Sequence, residues 1–137
     1  MALSEIERED LVNYRLDSAY ETLDEVEVHI ENKFFKTAAN RLYYACFYAV
    51  TALLIKDGYE THTHNGVKIL LGLHYVKENK IKKEHGDLFK HLFRLRQTGD
   101  YEVWIDVDQQ DVAPLLEPAK NFIHEMERLI NLKRQCQ

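Results

Sequence analysis

Cysteine is scarce in this sequence. Only Cys46 and Cys136 occur, ninety positions apart, which excludes a disulfide framework and gives no spacing for a thiolate-bound metal. A reducing compartment is implied. Two prolines and five glycines in 137 residues leave few breaks, and no low-complexity tract or repeating period is present. Basic residues are outnumbered 18 to 23, for a net charge of -5, so no overall positive field draws the chain to nucleic acid or to an anionic membrane. Any contact with RNA or a nucleotide must be local. No stretch matches the roughly 18 uncharged apolar residues of a bilayer span, and Met1-Ala2-Leu3-Ser4-Glu5 lacks the basic start and apolar core of a signal peptide. These absences predict a cytoplasmic protein without membrane contact. A glycine-rich phosphate loop and a GxSxG nucleophile elbow are also missing, which removes support for dinucleotide, kinase and hydrolase chemistry.

What the chain does have is 45% apolar residues, enough for one core and too short for two, so residues 1–137 are expected to form a single domain. Ser4-Glu5-Ile6-Glu7 has the form of a capping box and opens a first helix over 4–31, with Leu16, Ala19, Leu23, Val26 and Ile30 at helical spacing. After Asn32-Lys33 a second helix runs over 34–57 and stops at Gly58. A third helix is expected over 64–77 with Val67, Leu70, Leu71 and His74 on one side, and a fourth over 81–98 ending near Gly99. The acidic segment from Asp100 to Asp108 reads as a loop. Asp111 is expected to cap the last helix, where Val112, Leu115, Ala119, Phe122, Ile123, Met126 and Ile130 keep three-and-four spacing and Pro118 bends or delays the start. No segment reads as a strand pair. The predicted class is all-α, an antiparallel up-and-down bundle of four main helices plus one shorter helix.

The second helix carries an apolar run from Ala38 to Val50 in which Asn40 and Arg41 are embedded. A charge among apolar residues is costly unless it is paired or faces a cleft. At 100° per residue the helix has a small side (Ala38, Ala45, Ala49, Ala52) and a bulky side. On the bulky side Arg41, Tyr44 and Tyr48 form one stripe, with Asn40, Tyr43 and Phe47 next to it. Two readings stand here: Arg41 pairs with an acid of the first helix and the tyrosines fill core, or guanidinium and rings together receive a base or phosphate. Arg96-Gln97-Thr98-Gly99-Asp100-Tyr101 poses the same choice. Arg96 falls on the inward Phe89/Phe93 side, either to pair with Asp100 at a helix C-terminus or to meet a ligand. His62-Thr63-His64 is the one close histidine pair among seven histidines. It lacks the further ligands a zinc site needs, and no Glu-x-x-His pair of a di-iron bundle occurs, so neither metal nor other cofactor is expected.

Taken together, Asn40-Arg41-x-Tyr43-Tyr44-Ala45, Thr63-His64-x-Gly66-Val67 and Arg96-x-x-x-Asp100-Tyr101 resemble the HEPN domain, in its small stand-alone prokaryotic branch, from about residue 8 to 130. The resemblance implies a helical bundle that forms homodimers and a gene often paired with a minimal nucleotidyltransferase as toxin and antitoxin. It also implies metal-free RNase activity that uses an arginine and, four to six residues on, a histidine. Arg96 matches the arginine. Positions 101 to 103 are Tyr101, Glu102 and Val103, so the histidine is absent from its place. Tyrosine is a poor base at neutral pH, whereas imidazole is suited to it, and His64 could take that part if the start of the third helix lies near Arg96. The expected site therefore comprises Arg96, Tyr101 and His64 for catalysis, with Asn40, Arg41, Tyr44 and Asp100 for RNA or nucleotide binding. The alternative is a non-catalytic helical adaptor that docks a partner protein, most plausibly a nucleotidyltransferase.

Overall fold

The computed structural model of the protein describes residues 3–101 and 107–135, with the side chains of 97–101 outside that description. The described residues contain helices and no strand. Helix α1, Glu5–Glu31, starts at the expected capping box: the Ser4 hydroxyl accepts from the Glu7 amide at 3.1 Å, and the Glu7 carboxylate accepts from the Ser4 amide at 3.1 Å. It buries Val12, Leu16, Ala19, Thr22, Leu23 and Val26. A turn with Lys33 at φ 63° reverses the chain into α2, Phe35–Lys56.

α2 is the centre of the bundle. Its Ala38, Ala45, Ala49 and Ala52 are fully buried, and with no side chain beyond Cβ they let α1 approach along its whole length. The pair runs antiparallel, since Lys56 Nζ meets Glu9 at 3.0 Å while Arg41 Nε lies 3.4 Å from Glu25. By length and composition alone α2 passes for a bilayer span, but Arg41 interrupts its apolar run and most of the stretch is buried in this fold. An apolar surface on nearly every side is what a helix surrounded by other helices requires.

Gly58, at φ 84°, ends α2 in the left-handed conformation that glycine adopts without strain. Asp57 beside it accepts a hydrogen bond from the Tyr75 hydroxyl and pairs with Lys133 Nζ at 2.5 Å, tying three helical segments together. α3 spans His64–Leu71. The expected continuous helix to residue 77 is corrected here, because Gly72–Val76 form a π turn closed by the Lys77 amide on the Gly72 carbonyl at 2.9 Å. The wider turn brings Tyr75 into the core, whereas His74, expected there, stacks half-buried on Tyr59 with ring centroids 4.4 Å apart.

α4, Lys83–Tyr101, begins two residues later than expected and continues past Gly99, so the backbone of Asp100 and Tyr101 is helical rather than loop. Phe89, Leu92 and Phe93 face the core, while Leu88 and Leu95 are only half-buried. The remainder of the expected loop, 102–106, lies outside the described residues. The next helix, α5 (Gln109–Val112), is capped by Asp108, with Asp111 as its reciprocal capping-box partner. That corrects the cap expected at Asp111, three residues too far along. A 3-10 turn, Ala113–Leu115, precedes α6, Leu116–Gln135. Pro118 cannot donate to the carbonyl of residue 114, in keeping with the α-helix proper starting only at Leu116.

Candidate functional site

The site is built on one face of α2. Tyr43 is fully buried, its ring 5.6 Å from Phe89 and 5.9 Å from Phe93 between centroids, and Phe89 in turn stacks on Phe122 of α6 at 5.7 Å. An aromatic column anchored in the core thus fixes the ring. Its hydroxyl lies 2.9 Å from His64 Nδ1. Tyr44, one residue on and half-buried, accepts a hydrogen bond from Arg96 Nη1 at 3.1 Å.

Arg96 enters from α4. Its guanidinium carbon lies 5.1 Å from the Tyr43 ring centroid, 5.8 Å from that of Tyr44 and 6.0 Å from that of Phe93. Such cation–π contacts hold a charge by the ring quadrupole and leave hydrogen-bonding capacity in the guanidinium plane. Arg41 approaches the same Tyr44 ring at 5.6 Å. It is also bound to α1, with Nε 3.4 Å from Glu25 and Nη2 donating to Thr22 Oγ1 at 3.5 Å. Arg41 thus pairs with an acid of α1, as the first reading expects, and stands beside the Tyr44 ring.

His64 comes from the first residue of α3. Thr63 caps that helix by accepting from the Gly66 amide at 2.9 Å, and a Cβ at Gly66 would stand 2.0 Å from Thr61 Oγ1 and 2.8 Å from Thr63 Oγ1. Glycine is thus what lets the loop fold back over the helix start and set the imidazole in place. The ring packs 4.5 Å from Phe47 and 5.7 Å from Tyr44 between centroids. Burial, and then the positive charge of Arg96, lower the pKa of His64 below the ordinary histidine value. The imidazole is accordingly neutral at pH 7. Burial raises the Tyr43 hydroxyl, against the opposing pull of Arg96, so it stays protonated.

Of the residues singled out by sequence, Arg96, Arg41, Tyr44 and His64 are brought together. Asn40 is half-buried just before Arg41, and the side chains of Asp100 and Tyr101 lie outside the described residues. The sequence reading placed Tyr43 in a stripe but not in the site, although its hydroxyl joins α2 to His64. Among the described residues no three of His, Cys, Asp and Glu are grouped to hold a metal ion. Chemically, the cluster sets a fixed cation and a neutral imidazole beside adjacent tyrosines, a combination able to bind a phosphate and move a proton.

The model of the HEPN domain matches residues 12–129. The chain is 35% identical over 129 residues to a UPF0332 protein of Thermotoga maritima, covering 93% of this chain and 98% of that one. It is 30% identical over 116 residues to "Putative toxin MJ0605" of Methanocaldococcus jannaschii, covering 85% and 81% of the two chains. "Putative toxin MJ0142" of the same organism is 25% identical over 115 residues, or 84% and 78%. With the helical bundle and the arginine at the end of α4 in place, these matches establish that the chain belongs to the HEPN domain family.

Proposed function

We propose that this protein is a toxin-type HEPN component that binds RNA at the Arg96–Tyr44–His64 cluster and cleaves it without a metal. One observation carries the reading: a guanidinium and an imidazole kept neutral converge on adjacent tyrosines of α2. The two relatives named as toxins are consistent with it. In cleavage the 2′-oxygen of the RNA attacks the adjacent phosphorus, its proton passes to His64 Nε2, and the P–O5′ bond breaks as the departing 5′-oxygen takes a proton from water, leaving a 2′,3′-cyclic phosphate and a 5′-hydroxyl. His64 has a free Nε2 lone pair when Nδ1–H donates to Tyr43. Arg96 stabilises the charge that develops on the phosphoryl oxygens. His64 thereby takes the part of the histidine missing after Arg96. Asp100, Tyr101 and Asn40 complete the binding surface, with Arg41 holding Tyr44. The working unit is a cytoplasmic homodimer whose partner is a nucleotidyltransferase.

The test is single-stranded RNA incubated with purified protein in excess EDTA. Cyclic-phosphate ends are expected from the wild type, and their loss from His64→Ala and Arg96→Ala variants that remain folded. Intact RNA with all three proteins refutes the assignment. Sedimentation of the purified chain alone and with the neighbouring nucleotidyltransferase tests the dimer and the partner.

A groove of about 400 Å³ between α3, the π turn and α4 favours the adaptor reading. Ile69 and Leu73 stand exposed there, with Lys68, Lys77, Lys83 and Lys90 among the lining residues, a surface matched to an acidic, partly apolar partner. Under that reading Leu73→Asp abolishes partner binding, and Arg96→Ala leaves every cellular effect intact.

A further inference from the structure

A second cationic place lies beside His64. Arg15 lies on α1 between the buried Val12 and Leu16, with its guanidinium carbon 5.8 Å from the Tyr48 ring centroid. Its Nε is buried without a hydrogen-bond partner. Among the described residues no carboxylate pairs with it, in contrast to Arg41, Lys56 and Arg134, which each meet a glutamate. Arg15 faces a cavity of about 290 Å³ bounded by α1, α2 and the loop into α3. Thr51, Thr61, His62, Thr63 and His64 supply the other polar groups of its wall, and no acidic residue lines it.

A buried donor left unsatisfied carries a real cost, and a guanidinium without an acid in a water-accessible cavity is poised for an external anion. The wall offers one permanent cation, the His62 imidazole and the Thr61 and Thr63 hydroxyls, donors that a phosphoryl group with several acceptor oxygens can use. The volume approaches the roughly 300 Å³ at which small-molecule sites begin, so the occupant is larger than a bare oxyanion. Phe47, Tyr59 and Val67 form an apolar wall for that body.

We propose that this cavity is a phosphomonoester site, with the phosphoryl group held by Arg15, His62 and the threonine hydroxyls, and its organic body packed on Phe47, Tyr59 and Val67. The phosphate belongs either to a free mononucleotide or to the phosphorylated end of an RNA strand. The site does not depend on RNA cleavage, although His64 lines it and would sense its occupant.

Calorimetric titrations of AMP, adenosine, and a short RNA with and without a 5′-phosphate test the assignment, alongside NMR of the Arg15 Nε–H and the His62 and His64 rings. AMP is expected to bind at least about tenfold more tightly than adenosine, as charge-assisted hydrogen bonds to a phosphate require, and to move all three signals. Arg15→Gln should remove that preference. Equal binding of AMP and adenosine, signals that stay put, or an AMP preference that survives Arg15→Gln in a folded protein overturns the site. If Arg15→Gln does not fold, the wild-type signals and His62→Gln decide in the same way. A 5′-phosphorylated RNA that exceeds both AMP and its own 5′-hydroxyl form identifies the strand end as the source; parity with AMP identifies the free nucleotide. RNA cleavage measured in parallel separates a failure of this site from a failure of the Arg96 cluster.

Discussion

Replacing Tyr43 with phenylalanine isolates the contact that joins α2 to the imidazole. The ring is fully buried between Phe89 and Phe93, and phenylalanine fills the same volume, so no cavity opens and no transfer energy is lost. What disappears is the hydroxyl 2.9 Å from His64 Nδ1. A half-buried bond between neutral partners contributes about 1 kcal/mol net, and urea unfolding at pH 7.5 should show a loss of that order. His64 keeps its ring contact with Phe47, at 4.5 Å, and remains near its place without the partner that selects its tautomer. RNA cleavage should therefore fall by about tenfold or more, out of proportion to stability, as happens when a group that orients a functional histidine is removed. The double-mutant cycle with His64→Ala should return a coupling of about 1 kcal/mol. A coupling near zero refutes the bond, and a loss above about 3 kcal/mol for Tyr43→Phe alone assigns the hydroxyl to a buried network larger than this pair.

Acid should weaken the fold earlier than its carboxylates alone would: burial holds both His64 and His85 below the ordinary histidine value, so the unfolded chain takes up protons first. Their contribution is complete above about pH 6.5, lost as the pH falls through the folded values, and visible as a drop in urea midpoint between pH 7.5 and 5.5. Arg96→Gln removes one cause of the His64 shift, so the titration of the His64 ring followed by NMR should move upward toward the ordinary value. Asp57→Ala takes the acceptor from the buried Tyr75 hydroxyl and the partner from Lys133; with an acid side chain only 5% exposed, a loss of about 3 kcal/mol is expected in denaturant unfolding. Gly66→Ala forces Thr61 and Thr63 away from the start of α3 and should cost about 1 to 2 kcal/mol, with a change in the His64 ring signals that a distant substitution such as Lys36→Ala does not produce.

How far the sequence could be read depended on whether a contact lay within one helix or between several. The Ser4 cap, the Gly58 stop and the buried alanine side of α2 follow from spacing along a single element, and each is in the fold. The inward setting of Arg96 followed in the same way, from its register with Phe89 and Phe93. The π turn at Gly72–Val76 did not, because a five-residue turn leaves the apolar pattern of α3 nearly unchanged while moving Tyr75 and His74 relative to the core. The meeting of His64 with Tyr43 depends on how the loop before α3 folds over Gly66, and its only trace in sequence was a glycine at the third helical position. Arg15 has a clearer sign in the sequence: Val12, Leu16 and Ala19 mark the buried stripe of α1, and residue 15 lies at its edge, unlike the outward acids around it.

Arg15, Arg41 and Arg96 are held in different ways, and that difference orders their roles. Arg41 is neutralised by Glu25 and held by Thr22, so its charge is largely spent within the fold and its contribution to a ligand is the position of Tyr44. Arg96 stands against ring faces and donates to the Tyr44 hydroxyl, contacts that fix the position of its guanidinium. Arg15 has a ring and a cavity. Positive potential available to a phosphate is therefore greater at Arg15 than at Arg41, and His64 lines the cavity that Arg15 faces. A chain whose net charge is -5 can in this way present a local cationic groove, because the field felt by a phosphate at contact distance is set by the groups within a Debye length, about 8 to 10 Å, rather than by the total. Raising salt should accordingly weaken RNA binding with a shallow slope that reports two or three phosphate contacts, and a steep slope would place the RNA elsewhere, along the lysines of the α3–α4 groove.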